Sequence, residues 1–232
     1  MFQPDDRSVT LCLTSAGRPD LLRTTLKTLL AANASSFQEI IVIDDFASAE
    51  CEQVVRGLCP RANLLLNHSR LGQHRSVDRM YRLVKTPYIF HCEDDWQFDP
   101  MPIISDCLKG LLAIRDASVV CVRALGEYLN KEQMTEAEPV EIEGVRFLLR
   151  SPAVPIWNGF TFNPSLLRRA LWEEHGPYER FFKEEDISEH MKARELRVVQ
   201  LAGGTCRHIG DGRHVDDPFQ APHLDPGRLA RP

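Results

Sequence analysis

The feature that most constrains the fold is an alternation of apolar runs and helical patterns through about the first hundred residues. Four short apolar runs have the composition of buried strands, and polar residues, Gly or Pro follow each of them. Three segments with apolar residues at helical spacing lie between these runs. Consecutive parallel strands need crossover helices of this kind, and the crossovers are right-handed. The sequence therefore predicts an α/β fold: a Rossmann-like, mostly parallel sheet with helices on both faces.

The predicted strands end at polar side chains. Their ranges are Val9 to Thr14, Glu39 to Asp45, Leu64 to Leu66 and Tyr88 to Cys92. The first predicted helix begins at Pro19, because proline suits the first position of a helix. The second predicted helix covers residues 49 to 58, and the third follows Gly72.

The second half of the chain is less regular. A Glu143-Gly144 pair between two alternating runs predicts a small antiparallel flap. We also expect a helix after Pro164 and another that begins at Glu184. Predicted elements of this half are a helix over Pro102 to Ala113, strands over Val119 to Val122 and Val198 to Ala202, and hairpin strands over Val140 to Ile142 and Val145 to Leu149.

Charge and cysteine content exclude some classes of protein. A net charge of −5 argues against a general nucleic-acid binder or a binder of anionic membranes. The seven cysteines form no CxxC pair, which fits a reducing compartment. No apolar run approaches membrane-spanning length, and the N-terminus has no signal-peptide pattern. We therefore expect a cytoplasmic protein without a membrane span.

Three consecutive carboxylates, Glu93, Asp94 and Asp95, follow the fourth predicted strand. In an open α/β sheet, ligands bind beyond the carboxyl ends of the strands. Three adjacent carboxylates repel one another, and a divalent cation relieves that repulsion. The pattern therefore favours a site for a hard divalent cation. The alternative is a solvated acidic turn that merely ends the strand.

Other strand ends carry polar groups that suit a nucleoside diphosphate. A carboxylate after the second strand can accept hydrogen bonds from a ribose or a base, and Arg70 can pair with a phosphate. Neither GxGxxG nor GxxxxGK[ST] is present, so a dinucleotide site or P-loop of the usual kind is not expected. The groups at these ends are Thr14, Ser15, Asp44, Asp45, Arg70 and the acids from Glu93 to Asp95.

These motifs, in this order, resemble the family 2 glycosyltransferases of the GT-A fold. Thr14 to Pro19 is similar to the opening (Thr/Ser)-x-x-Arg-Pro stretch, and Asp44-Asp45 with Ser48 is similar to the Asp-Asp-x-Ser stretch. The remaining matches are Asn67 to Gly72 for the Asn-x-Gly loop, Glu93 to Asp95 for the DXD metal motif, and Glu185-Asp186 for the late Glu-Asp pair. The chain departs from the pattern in Glu93, where Asp is commoner, and in the stretch from Asp44 to Ser48, which lacks the usual Gly.

The resemblance implies a nucleotide-sugar donor and the cofactor Mg²⁺ or Mn²⁺. It implies Asp95 as the direct ligand of the metal, with Glu93 and His208 as further candidates. It implies that Asp186 is the general base, with Glu185 beside it. Candidate donor-binding residues are Thr14, Ser15, Arg18, Asp44, Asp45, Arg70, Asp94 and Arg207.

Several candidates keep a second interpretation. His208 and His214 can ligate a metal or contact diphosphate, or they belong to an ordinary surface loop. Trp157, Asn158 and Gly159 can shape an acceptor pocket, although a tryptophan is more often part of the core. For Asp186, the alternative to catalysis is a carboxylate that stabilises the start of a helix.

The resemblance implies an inverting, metal-dependent enzyme that moves a sugar from a UDP- or GDP-linked donor to a hydroxyl of a glycan, lipid-linked or small-molecule acceptor. We expect one domain over residues 1–232: a nucleotide-sugar-binding half (1–98), an acceptor-binding and catalytic half (99–215) and an extended tail (216–232). The alternatives are a nucleotidyltransferase, which would want a richer triphosphate loop than Arg18 supplies, and a scaffold that binds the donor without turnover.

Overall fold

The computed structural model describes residues 7–124, 137–150 and 158–219. The elements in chain order are β1 (Val9–Ser15), α1 (Pro19–Asn33), β2 (Phe37–Asp44), α2 (Ala49–Leu58), β3 (Asn63–Leu66), α3 (Gly72–Tyr81), β4 (Tyr88–Glu93), β5 (Trp96–Phe98), α4 (Ile104–Ala113), β6 (Ala117–Cys121), β7 (Glu138–Ile142), β8 (Val145–Leu149), β9 (Ser165–Arg168), α5 (Arg169–His175), α6 (Glu184–Lys192), β10 (Arg197–Leu201) and β11 (Cys206–His208). Short 3₁₀ turns cover Ala34–Ser36 and Tyr178–Arg180.

Nine strands form one mixed sheet in the order β3-β2-β1-β4-β9-β6-β10-β8-β7. The first four strands of the chain pair in parallel, as predicted. Strand β9 then runs antiparallel between β4 and β6, and β6 pairs in parallel with β10. The predicted α/β fold class is confirmed. The predicted flap is the β7–β8 hairpin, which extends this sheet beside β10.

Helices cover both faces of the sheet, because the strands are apolar on both sides. On β1, Leu11 and Leu13 pack toward α1, α2 and α4, whereas Cys12 packs toward α3 and α6. All three side chains are fully buried. Burying one Leu or Ile side chain stabilises the fold by roughly 1.5–3 kcal/mol, so this double-faced core accounts for the continuous apolar runs of the strands.

One predicted element of the second half is wrong. The chain does not enter a helix directly after Pro164: Ser165–Arg168 is strand β9, and α5 begins only at Arg169. The run Ser-Leu-Leu-Arg is too short for periodicity to distinguish a strand from the start of a helix. Pairing with the exposed edges of β4 and β6 decides in favour of the strand.

A separate two-stranded ribbon also escaped prediction. Strand β11 pairs antiparallel with β5, so that His208 lies opposite Trp96. The Ile209 N–H then donates to the Asp95 carbonyl over 2.8 Å. The ribbon therefore brings the end of the described chain next to the acids that follow β4. Residues 216–219 of the expected tail are described and lie beside α3, and the rest of that tail lies outside the described residues.

Candidate active site

A cavity of about 480 Å³ lies at the carboxyl ends of β1, β2 and β4. Ligand sites commonly have volumes of about 300–1,000 Å³, and open α/β sheets place them at this edge. The first turn of α6 and the segment 214–217 close two further sides of the cavity. Residues from both halves of the chain therefore meet around one space.

Many of the residues predicted from the sequence line this cavity. Those that line it are Thr14, Ser15, Arg18, Asp45, Arg70, Glu93, Asp94, Asp95, Glu185 and His214. Other predicted residues are described but lie outside its wall. They are Asp44, Asn158, Gly159, Asp186, Arg207 and His208. Trp157 falls outside the described residues.

Asp45 is held at the N-terminus of α3. Its Oδ1 accepts hydrogen bonds from Asn67 Nδ2 at 2.7 Å, the Leu71 N–H at 2.8 Å and Ser76 Oγ at 3.1 Å. Its Oδ2 accepts the Gly72 N–H at 3.1 Å. The positive end of the helix dipole favours a carboxylate here. Oδ2 accepts fewer hydrogen bonds than Oδ1, so Oδ2 is the oxygen that can accept a further hydrogen bond from a ligand.

Asp44 points away from the cavity and joins two loops. Its carboxylate accepts the Gly17 N–H at 2.9 Å and the Ser48 N–H at 2.7 Å. Successive side chains of a strand point to opposite sides, so only one of the adjacent acids Asp44 and Asp45 can face a ligand. Asp44 positions the loops after β1 and β2, and it does not itself reach the cavity.

Arg18 lies between Asp94 and Asp95. Its Nη2 contacts Asp94 Oδ1 and is 2.9 Å from Asp95 Oδ2, and its Nε is 3.4 Å from Asp94 Oδ2. Ser15 Oγ and the Ala16 N–H also donate to Asp94 Oδ2, each over 3.1 Å. Burial raises the pKa of Asp94, and the Arg18 guanidinium offsets part of that rise. The loop after β1 is thus fastened to the acids after β4.

Asp95 also pairs with His208, whose Nε2 is 3.2 Å from Asp95 Oδ2. Burial by itself would raise the pKa of Asp95, but His208 and Arg18 outweigh burial and lower it. The same ion pair raises the pKa of His208 to about 9. His208 Nδ1 lies 2.9 Å from Asp211 Oδ1, which further favours the protonated ring.

Glu93 lies in the cavity wall but does not join this ion pair. Its carboxylate accepts hydrogen bonds from Gln73 Nε2 at 2.7 Å and Trp96 Nε1 at 3.4 Å. Burial raises the pKa of Glu93, and repulsion from Asp95 and then from Glu184 raises it further. Carboxylates from two distant parts of the chain therefore face one another across the cavity.

The first turn of α6 carries three acids that point in different directions. Glu185 lines the cavity. Glu184 also lines it, but one of its oxygens accepts the Phe162 N–H at 2.9 Å, and burial raises its pKa to about 7. Asp186 lies outside the cavity wall, and its Oδ2 accepts the Lys183 N–H at 3.1 Å, which caps the helix. Of the two acids predicted for catalysis, Glu185 is the one that reaches the cavity.

The proposed acceptor residues and Arg207 have other contacts. The Asn158 carbonyl accepts the Val198 N–H, and the Gly159 N–H donates to Ser188 Oγ over 3.0 Å. A Cβ at position 159 would lie 2.1 Å from the Ser188 carbonyl, so only glycine fits against α6. Arg207 is exposed on β11, where its Nη2 donates to Gln97 Oε1 over 2.8 Å.

The model of the glycosyl transferase family 2 matches residues 10–191 of the chain. The chain belongs to this family. The matched range begins in β1 and ends in α6, so it includes every cavity-lining element except the segment 214–217. A search of curated proteins finds no sequence that matches this family 2 chain.

Solved structures with low sequence identity share the fold of this family 2 member. The mannosyltransferase PcManGT from Pyrobaculum calidifontis, solved with GDP-Man and Mn²⁺, aligns with a TM-score of 0.66 and 17% identity over 91% of this chain and 60% of that chain. TarS 1–349 from S. aureus aligns with a TM-score of 0.59 and 11% identity over 88% of this chain and 60% of that chain. TarS 1–349 in complex with UDP gives a TM-score of 0.58 and 13% identity over 86% and 60%. The chain thus spans 60% of the length of each of these relatives.

The family implies a divalent cation, and the side chains fit one in part. Within residues 7–124, 137–150 and 158–219, no group of three or more His, Cys, Asp or Glu side chains is arranged to hold a metal ion. Asp95 Oδ1, however, is buried and accepts no hydrogen bond from any described residue. A hard cation prefers such a carboxylate oxygen, and the crowding of acids that raises the pKa of Glu93 would be relieved by its charge.

Some residues of the cavity wall were not predicted from the sequence. Phe46 follows Asp45 and is 41% exposed, with the Arg70 guanidinium 4.5 Å from its ring centre. Asp217 Oδ2 accepts the Gln73 N–H over 2.7 Å, and a Cβ on Gly72 would lie 2.4 Å from the Asp217 carboxylate. The lack of the usual Gly in the stretch from Asp44 to Ser48 was a signal that could have drawn attention to Phe46. The return of residues 214–217 to α3 had none, because it depends on the ribbon β5–β11.

The ion pair between His208 and Asp95 predicts a pH-dependent stability. The pKa of His208 is about 9 in the folded chain, whereas the ordinary value for histidine is 6.5. The contribution of His208 to the free energy of unfolding is therefore complete below pH 6.5 and is lost as the pH rises through 9. We expect His208→Gln to lower the free energy of unfolding by about 1–2 kcal/mol at pH 6, a value reduced for partial exposure. Urea unfolding between pH 6 and 10 measures the effect.

The difference between His208→Gln and the wild type should disappear above about pH 10. Exposed His68 offers a matched control, since His68→Gln should leave the same pH dependence as the wild type. A difference that stays constant across the whole range would mean that His208 stabilises the fold by packing and not by its charge.

No helix among the described residues combines the length and the apolar character that crossing a membrane requires.

Proposed function

We propose that the chain is an inverting glycosyltransferase that uses Mg²⁺ or Mn²⁺ and a UDP- or GDP-linked sugar donor. The acceptor is a hydroxyl of a glycan, a lipid-linked molecule or a small molecule. One observation carries the proposal: two arginines, the carboxylates after β2 and β4, and Glu185 all line one cavity at the carboxyl edge of the sheet. GDP-Man and UDP, each bound to a protein of the same fold, support the donor class.

Each end of the donor has a counterpart in the cavity. Asp45 Oδ2 can accept a hydrogen bond from the ribose or the base. Arg70, half-exposed beside Asp45, and Arg18 can pair with the diphosphate, because guanidinium groups form two parallel hydrogen bonds with phosphate oxygens. Mg²⁺ or Mn²⁺, held by Asp95 and Glu93 on the cavity wall while His208 stays paired with Asp95, would neutralise the negative charge that develops on the departing diphosphate.

We assign the general base to Glu185 instead of Asp186. An acceptor hydroxyl must lose its proton as it attacks the anomeric carbon, and a carboxylate inside the cavity can accept it. Glu185 lines the cavity, whereas the Asp186 carboxylate is engaged in capping α6. Attack from the side opposite the leaving group inverts the configuration at the sugar.

We further propose that residues 1–232 are one domain, in which residues 1–98 bind the donor and residues 99–215 bind the acceptor and supply the base. Asp216 and Asp217 belong to the donor side, because the Asp216 carbonyl accepts a hydrogen bond from Arg70 and Asp217 accepts the Gln73 N–H at the start of α3. We also propose a cytoplasmic location. All seven cysteines are buried as thiols, as a reducing compartment allows.

A panel of nucleotide sugars tests the function. With a UDP- or GDP-linked donor at about 100 times its Kd and Mn²⁺ present, the melting temperature should rise by about 5–10 °C, because a ligand that binds only the folded state stabilises it. Nucleoside monophosphates serve as the control and should give a smaller shift. The proposal fails if no nucleotide sugar raises the melting temperature with or without Mn²⁺.

A further inference from the structure

The Arg18 guanidinium already occupies the position between the two aspartates that follow β4. Its Nη2 contacts both Asp94 and Asp95, with 2.9 Å to Asp95 Oδ2. The side chains of Arg18 and Asp94 are only 14% and 1% exposed. Arg18 therefore balances the charge of Asp94 and shares the balancing of Asp95 with His208. Without these positive groups the two acids could not remain ionised together in so enclosed a place.

The two oxygens of the Asp95 carboxylate differ in their contacts. Oδ2 receives both Arg18 and His208, whereas Oδ1 is buried and accepts no hydrogen bond from the described residues. A buried carboxylate oxygen without a donor costs free energy unless another group can bind it. The arrangement is thus complete for Asp94 and incomplete for Asp95.

Arg18 and a divalent cation compete for Asp95. Two positive charges about 4 Å apart in a partly buried site repel each other, so the cation binds more easily once Arg18 has moved away. Arg18 lies on the cavity wall just before α1, and its Nη1 donates to the Arg213 carbonyl over 3.1 Å. Its Nε lies 3.4 Å from Asp94 Oδ2, so Arg18 also has a contact with Asp94 that does not involve Asp95.

We propose that Arg18 is the resident counter-ion of this site and exchanges partners when the donor binds. While no cation is present, Arg18 bridges Asp94 and Asp95 and holds the loop after β1 against β4. When a divalent cation binds Asp95 together with the donor, Arg18 gives up Asp95, keeps Asp94, and directs its freed N–H groups at the diphosphate. The inference rests on the proposed function and adds a positioning role for one residue.

Arg18→Met tests the exchange through binding alone. Without a competing guanidinium, the variant should bind Mn²⁺ about tenfold more tightly than the wild type in the absence of nucleotide. With Mn²⁺ saturating, it should bind UDP or GDP about tenfold more weakly, because a charge-assisted hydrogen bond to phosphate is lost. Electron paramagnetic resonance of free Mn²⁺ gives the first affinity, and calorimetry gives the second.

Two further variants keep the test decisive. Arg18→Met leaves Asp94 buried without its cation, so its melting temperature should fall and should be restored by Mn²⁺ more strongly than in the wild type. Arg18→Lys keeps the charge beside Asp94 but cannot bridge both acids, so it should bind Mn²⁺ with intermediate affinity. Arg56→Met, which removes a surface arginine paired with Glu52, is the charge-matched control and should change neither affinity.

The outcomes separate the inference from the proposed function. If nucleotide sugars bind the wild type but Arg18→Met binds Mn²⁺ no more tightly, the exchange is wrong and the function stands. Unchanged UDP or GDP affinity in Arg18→Met also overturns the exchange. If no nucleotide sugar stabilises the wild type, the function falls. If Mn²⁺ binds none of the variants, both the cation site and the exchange are wrong.

Discussion

Replacing Glu185 by glutamine is expected to lower the rate of sugar transfer by about 10²- to 10⁴-fold, the usual contribution of a positioned general base. Glutamine keeps the size of the side chain and its position on the cavity wall, but it cannot accept a proton at neutral pH. Donor binding should be nearly unchanged, because the base acts on the acceptor hydroxyl. Steady-state kcat and the donor-induced shift in melting temperature measure the two quantities separately.

The neighbouring acids provide matched controls for Glu185→Gln. Asp186→Asn keeps an oxygen that can accept the Lys183 N–H, so we expect a small effect on both stability and kcat. Glu184→Gln keeps the acceptor for the Phe162 N–H. If Asp186→Asn abolished transfer while Glu185→Gln remained active, Asp186 would be the base, as the family resemblance alone implied.

The pH dependence of kcat tests whether Glu184 is the base instead, because burial raises the pKa of Glu184 to about 7. A base with this pKa would make kcat rise as the pH increases through about 7, and Glu184→Gln would remove that rise together with the activity. We expect instead that Glu184→Gln retains most of the activity. Retention would be consistent with a carboxylate that anchors Phe162 to α6.

Asp95→Asn is the second change with a large expected effect. The variant keeps the shape of the side chain and loses the charge that pairs with Arg18 and His208. We expect the affinity for Mn²⁺ in the presence of UDP or GDP to fall by about 100-fold or more, since even residues that only support a metal ligand cost about 10- to 100-fold. Transfer should fall with it, and titration of Mn²⁺ by calorimetry measures the affinity.

Asp99→Asn is the control for Asp95→Asn. Asp99 follows β5, the strand that Asp95 precedes, but it is exposed, so its replacement should leave the Mn²⁺ affinity unchanged. Equal Mn²⁺ affinities of Asp95→Asn and the wild type would remove Asp95 from the cation site. The pKa of His208 should also fall in Asp95→Asn, because the ion pair that raises it is lost.

The first half of the fold was predictable because the order of its strands and helices follows from local sequence patterns. Strands β1 to β4 are apolar on both faces, and the loops between them carry the polar residues, Gly or Pro that end such runs. Strand β9 was not predictable in this way. Its four residues fit a helix or a strand equally well, and only pairing with β4 and β6, which are distant in sequence, decides its structure.

The site was predictable at the level of strand ends and not at the level of side-chain direction. Sequence places Asp44 and Asp45 together, but the alternation of the strand sends one to the loops and the other to the cavity. In the first turn of α6, a rotation of about 100° per residue separates Glu185 from Asp186. Partners that join distant segments, such as Arg18 with Asp95, follow from the fold alone.

The position of β9 also matters for how the polypeptide is made. A ribosome releases the N-terminal strands first, so β1 to β4 can assemble while the chain is still growing. One edge of β4 then stays unpaired until Ser165–Arg168 is synthesised, because β9 lies between β4 and β6 in the finished sheet. Until that segment emerges, the nascent chain exposes an unpaired apolar edge, which is the stage at which aggregation or chaperone capture competes with completion of the sheet.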